Sequence, residues 1–369
     1  MKRTAAKRAA PRSRAASDDL EKYRARCTRW LAGHGPRSAA DLLATVPTDL
    51  GIDRYGEGAA VGQLEAEICK VLGKPAAVFM PSGTMAQQIA LRIHADRRGP
   101  RAVGWHPTCH LEIHEDKAHQ RLHGLVGVPV GNARRLMTLD DLRAVQEPLA
   151  AVLFELPQRE IGGQLPPWRE LREQVAFVRQ SGAAVHLDGA RLWESAPFYG
   201  KSPAQVAALF DTAYVSFYKG LGSLAGACLA GQPDVIQEAR AWRKRHGGTL
   251  FGLWVHAGAA LAALEERLPR MPRYVAHAQA IARALKGMPN LEVVPDPPQT
   301  PMMHLHLRVS EPAFRAAACR IAREEGVYTW PRSMPGPTPA TRVVEFVVGD
   351  ATLAFAPREV AALIARLVA

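Results

Sequence analysis

Three short segments of the chain carry residue types suited to chemistry. The first is Phe79-Met80-Pro81-Ser82-Gly83-Thr84. A small turn with a glycine at a helix start presents free backbone N–H groups and the positive end of the helix dipole, and two hydroxyls add donors. That is a phosphate cradle, although the same residues also make an ordinary N-cap. The second is Val185-His186-Leu187-Asp188-Gly189-Ala190-Arg191. A carboxylate directly after an apolar strand suits a buried cationic partner, such as a protonated ring nitrogen. The other reading is an Asp that caps the next helix and pairs with Arg191. The third is Val215-Ser216-Phe217-Tyr218-Lys219-Gly220-Leu221-Gly222. A lysine at the mouth of an apolar strand loses water, which lowers its pKa and favours Schiff-base chemistry. It could equally reach solvent along its own stem.

Positioning these groups requires strands that end on one edge. Pro75 to Met80, Leu149 to Glu155, Ala183 to Leu187, Thr212 to Tyr218 and Ala225 to Ala230 read as strands. Between them, residues 60–72, Met85 to His94, Pro167 to Ser181 and Pro203 to Leu209 read as helices. Alternation of this kind predicts a mainly parallel α/β sheet, whose carboxyl edge is where ligands bind. Residues 18–32 read as a helix, broken by Gly33-His34-Gly35-Pro36. Beyond residue 262 the pattern becomes strand (291–294), strand (303–309), helix (312–325), strand (342–348) and helix (357–368), which predicts a smaller α+β unit.

Composition narrows the class. Hydrophobic residues make up 47% of 369, enough for a sizeable core, and no apolar run approaches the ~20 residues of a membrane span. The net charge is +12, and half of it sits in Lys2, Arg3, Lys7, Arg8, Arg12 and Arg14. This tail reads as a disordered, solvated basic arm; contact with nucleic acid or an Arg-rich transit peptide are the other readings. Five scattered cysteines without C-x-x-C spacing argue against a disulfide scaffold or zinc site and for a reducing cytoplasm. His106, His110, His114, His119 and His123 cluster without an H-E-x-x-H pattern or strong carboxylate complement, so no metal site is expected.

Taken together, the phosphate turn, then Asp188, then Lys219 31 positions later fit pyridoxal phosphate (PLP), whose pyridine nitrogen must stay protonated for the ring to act as an electron sink. The chain resembles fold-type-I PLP enzymes, and within them the threonine aldolase / β-eliminating lyase family. The resemblance is carried by Tyr55-Gly56-Glu57-Gly58, Phe79 to Gln87, His110, His186 to Leu192, Ser216 to Gly222 with Gly226, and Arg243-Lys244 followed by Gly247-Gly248. It covers about residues 55–260.

The resemblance implies a role for each matching residue. Lys219 is the Schiff-base lysine and proton shuttle, and Asp188 is the partner of the pyridine nitrogen. Ser82, Gly83, Thr84 and Ser216 serve the cofactor, His110 stacks on its ring, and Arg191 lies near its phenolic oxygen and the substrate. Arg342 is implied as the arginine that grips the substrate carboxylate, for which a bidentate guanidinium is suited. Tyr55 is implied to reach a neighbouring subunit's site in a homodimer or homotetramer. The implied division is a tail (1–17), an N-terminal helical arm (18–54), a PLP-binding domain (55–260) and a small domain (261–369).

Some positions depart from the family. Where threonine aldolases open with Ser-Asp-Thr, this chain has His34 within Gly33-His34-Gly35-Pro36; His34 takes that place or caps a helix. After the strand ending near Glu155 the family has a His over the substrate hydroxyl; here Gln158 and Arg159 occupy that region, and a permanently charged Arg is a poor base. His114 stands where the family commonly has an aromatic residue; it is expected to point at the substrate and to compensate for the absent His, while Leu250-Phe251 stand where the family often has a phosphate-binding arginine. The resemblance implies a lyase on a small amino acid, cleaving a β-hydroxy-α-amino acid to glycine and an aldehyde. β-Elimination, racemisation or a transaldolase-like reaction are alternatives, as is a non-catalytic regulatory protein. No membrane or nucleic-acid partner is expected.

Overall fold

Apolar runs of about five residues, each stopped by Gly, Pro or a polar turn, form strands buried on both faces, as a helix-covered parallel sheet requires. A computed structural model describes residues 18–369; the tail expected over residues 1–17 lies outside them. In chain order the strands are β1 (Arg29–Trp30), β2 (Ala76–Met80), β3 (Ala102–Trp105), β4 (Val126–Pro129), β5 (Ala151–Glu155), β6 (Ala184–Gly189), β7 (Thr212–Ser216), β8 (Ala227–Gly231), β9 (Leu291–Val294), β10 (Met302–Leu307), β11 (Val327–Tyr328), β12 (Met334–Pro335) and β13 (Arg342–Val347).

The main sheet has seven strands in the order β2-β8-β7-β6-β5-β3-β4. All run parallel except β8, which is antiparallel to both β2 and β7. Every residue of β6, β7 and β8 is buried. The apolar faces of Ala59–Leu72 (Val61, Leu64, Ile68, Leu72) and Trp168–Gln180 (Leu171, Val175, Val178) cover the sheet. The smaller unit is a four-stranded antiparallel sheet, β12-β13-β10-β9, packed with the helices Glu311–Glu325 and Pro357–Leu367.

Three expectations change. The helix expected over residues 18–32 stops at Arg24, and Arg29–Trp30 pairs in parallel with β11. Burial of Cys27 and Leu31 against the C-terminal unit outweighs the helical spacing, a long-range effect invisible to local periodicity. Strand β7 ends at Ser216, not at Lys219: Phe217 and Ser223 close a turn into β8 (Ser223 N to Phe217 O, 2.8 Å), so the lysine sits on a hairpin tip. Strands β3 and β4 were not anticipated; they are four residues each, and Gly104, Gly127 and Pro129 interrupt their apolar pattern. No helix among the described residues is long and apolar enough to cross a membrane.

Candidate active site

The carboxyl ends of β2, β3, β5, β6 and β7 point to one edge of the sheet, and most of the expected site residues follow those ends. Ser82 caps the helix Gly83–Arg98, accepting from Met85 N at 3.3 Å. A Cβ on Gly83 would overlap the Tyr214 hydroxyl of β7, so only glycine lets this helix start approach the sheet. One turn on, Gln87 reaches under the site and donates from Nε2 to Asp188 Oδ2 at 2.8 Å. The other Asp188 oxygen accepts from Ala190 N at 3.0 Å.

Asp188 is only 2% exposed and forms no ion pair among the described residues. A buried carboxylate without a cation is costly unless a ligand completes it. Its neighbour on β5 is Glu155, in register with it. Loss of water and the negative charge of Asp188 push the Glu155 carboxyl well above the usual range. Lys219, half-buried on its hairpin tip, is pushed down by desolvation and by the Arg191 guanidinium, with Asp188 and Glu155 opposing. The Ser216 and Ser223 hydroxyls nearby in sequence are buried without a partner. Taken together, an uncompensated acid, a deprotonation-prone lysine, unpaired hydroxyls and a capped helix start fit a phosphorylated, cationic-ring carbonyl cofactor.

His110 opens the short helix His110–Ile113 beyond β3. Its Nδ1 meets Glu115 Oε1 at 3.0 Å, and Glu115 also accepts from Gln88 Nε2 at 2.9 Å. The His114 ring tilts against that of His110, centroids 5.1 Å apart, and its Nε2 meets Glu160 Oε1 at 2.9 Å. Glu160 also accepts from Arg159 Nη1 at 2.9 Å, and Arg159 Nε reaches Glu345 Oε2 of β13 at 2.8 Å. Arg191 stands between two acids, Glu194 at 3.7 Å and Glu345 at 3.9 Å. Glu194 is buried beneath Gly220, where a side chain would overlap its Oε1, and burial pushes its carboxyl up to about 7.

His34 lies against the turn that carries the lysine: its Nε2 donates to Gly220 O at 2.8 Å, and Nδ1 faces Asp350 at 3.2 Å. Tyr55, at φ 54°, is 59% exposed, stacks edge-on with Phe251 (5.5 Å), itself 65% exposed, and donates its backbone N–H to Phe251 O. Arg342 is not brought to the site. It lies on the face of β13 opposite Glu345, as odd spacing along a strand dictates, and it is spent on Ser333 O (2.8 Å) and Glu311 (3.0 Å). Periodicity could place residue 342 on a strand but could not say which face the small sheet turns inward.

Sequence reasoning gives no role in the site to Gln87, Glu115, Glu155, Glu160, Glu194 or Glu345. Gln87 and Glu194 carried a local signal, one turn after Gly83 and Arg191 respectively. Glu345 had none, since only tertiary packing brings β13 to Arg159. Among the described residues no three His, Cys, Asp or Glu side chains converge as metal ligands would.

The profile of the beta-eliminating lyase family matches residues 40–309. The fold superposes on a candidate L-allo-threonine aldolase of Listeria monocytogenes EGD-E with a TM-score of 0.91 and 39% identity, covering 96% of this chain and 99% of that one. A candidate aromatic amino acid beta-eliminating lyase/threonine aldolase of Exiguobacterium sp. 255-15 gives 0.89 and 39%, covering 95% and 99%. The low specificity L-threonine aldolase of Escherichia coli (strain K12) is 28% identical over 248 residues, which is 63% of this chain and 71% of that protein.

Proposed function

The chain belongs to the beta-eliminating lyase family, and we propose that it is a PLP-dependent carbon–carbon lyase that cleaves a β-hydroxy-α-amino acid to glycine and an aldehyde. The observation that carries this reading is Asp188: a buried carboxylate, fixed by Gln87 and Ala190 N–H and lacking a cation, beside a lysine whose amine is pushed toward its neutral form. Its unmet charge is the complement of a protonated pyridine ring. Lys219 would hold the cofactor covalently, Ser82, Gly83, Thr84 and Ser216 its phosphate, and His110, braced by Glu115, the face of its ring. Bound PLP supplies an electron sink conjugated to the substrate's Cα.

The protein's own groups do the rest. Arg191 and Arg159 are the guanidinium groups directed at Glu345, and the substrate carboxylate would meet them there by displacing that acid. Lys219, short of water and pushed toward its neutral form, can move a proton to or from Cα. His34 fixes the Gly220 carbonyl and so the height of the lysine turn. Tyr55 and Phe251, exposed on one patch, are suited to packing on a second copy of the chain, and a homodimer or homotetramer is proposed on that ground. A cytoplasmic location is part of the same proposal.

The test is product analysis with threonine, allo-threonine and phenylserine. Glycine with the matching aldehyde is the expected outcome. Ammonia with a keto acid would replace this reading by β-elimination.

A further inference from the structure

Opening a Cα–Cβ bond beside a hydroxyl requires a base for the hydroxyl proton. Few groups at this site can serve. Both Asp188 oxygens are engaged by N–H donors. Glu155 already accepts from the backbone N–H groups of His110 (3.4 Å) and Arg159 (3.2 Å) and from Gln158 Nε2 (3.4 Å). Glu194 lies under the Gly220 backbone. His110, whose Nδ1 meets Glu115, is committed to the face of the cofactor ring. Gln158 is not basic, and Arg159 is permanently charged. His114 is different. It is half-exposed, its ring borders that of His110, and among the described residues only its Nε2 is engaged, by Glu160 at 2.9 Å. Glu160 is in turn held by Arg159, and Arg159 by Glu345.

We propose that His114, oriented by Glu160, is the catalytic base that takes the β-hydroxyl proton. With the Nε2 proton donated to Glu160, the Nδ1 lone pair is left for the substrate, the logic by which a carboxylate fixes the tautomer of a working imidazole. The hydroxyl O–H bond breaks and Nδ1 gains the proton. The freed oxygen pair forms the second bond of the aldehyde carbonyl as Cα–Cβ breaks. The Cα–Cβ pair stays with the glycine fragment, whose Cα then takes a proton, so the atoms of substrate, glycine and aldehyde balance without a co-reactant. Glu160 is a positioning residue. The assignment rests on the aldol-cleavage reading.

The experiment compares two reactions of the holoenzyme: cleavage of β-hydroxy amino acids, and exchange of the glycine Cα proton with deuterated water, which involves no hydroxyl. His114→Phe, or His114→Gln if the first variant folds poorly, is expected to cut kcat for cleavage about 100-fold or more. Glycine exchange and glycine binding, read from the visible spectrum, should stay near wild type. Glu160→Gln should lower kcat without raising KM, and Glu160→Asp should restore part of it. Independently of turnover, 15N-histidine NMR of the holoenzyme should show His114 protonated at Nε2 and bare at Nδ1. Unchanged cleavage in both His114 variants, parallel loss of cleavage and exchange, or an Nδ1–H tautomer would each overturn the assignment. A wild-type enzyme that exchanges glycine yet cleaves no β-hydroxy amino acid would instead overturn the aldol reading.

Discussion

Arg159 donates from Nε to Glu345 Oε2 at 2.8 Å and so ties the turn after β5 to strand β13 of the small sheet. Glu345 also stands 3.9 Å from Arg191. One acid thus sits between two arginines where the substrate carboxylate is proposed to bind, and it competes with that carboxylate. Glu345→Gln keeps the shape and removes the charge. It should lower KM for the amino acid about fivefold, the equivalent of about 1 kcal/mol for a partly exposed ion pair, with kcat little changed. Steady-state kinetics on the two proteins checks this; a raised KM would mean that Glu345 orients the arginines instead of masking them.

Gly83→Ala probes the phosphate turn. The added methyl would overlap the Tyr214 hydroxyl, and overpacking of this kind costs about 1–3 kcal/mol. Because the strain falls on the helix start that would cradle the phosphate, PLP affinity should drop about tenfold or more. Titration of the apoprotein with PLP measures it. Unaltered affinity would show that the cofactor phosphate is held elsewhere.

Glu194 predicts a pH dependence of stability. Burial raises its folded pKa to about 7 from a usual 4.5. Between those values the unfolded chain has released the proton and the folded one keeps it, so stability falls as pH rises from about 4.5 to about 7 and then levels off. The loss is at most about 3 kcal/mol. Glu194→Gln removes it. Urea unfolding at pH 5 and pH 8 should show the variant gaining on wild type only at the higher pH; an equal difference at both would contradict the shift.

The same residues show how much could be read from the sequence. Asp188 lies at the end of one apolar strand and Ser82 just beyond another, both set by local pattern, so their edge of the sheet is legible from periodicity alone. Lys219 was placed on the correct edge but three residues past its strand, because a hairpin return to an antiparallel β8 looks locally like continued strand. The resemblance gives Arg342 to the substrate carboxylate, yet the pleat turns it to Glu311, and Glu345 faces Arg159. A strand's face is fixed by what packs on it, and for β13 that partner lies almost 200 residues away, as the 186-residue separation of Arg159 and Glu345 records. The acids that tune the site were missed for the same reason: each gains its role only beside a distant neighbour.

Lys219 and Asp188 together carry the proposed cofactor. The decisive measurement is the visible absorption of the purified protein incubated with PLP and then freed of unbound cofactor, for wild type, Lys219→Ala and Asp188→Asn. Wild type should retain the visible band of lysine-linked PLP, Lys219→Ala should lack it, and Asp188→Asn should hold the cofactor more weakly with a displaced band. A wild-type protein that retains no such band, or a Lys219→Ala variant with an unchanged spectrum, would contradict the assignment.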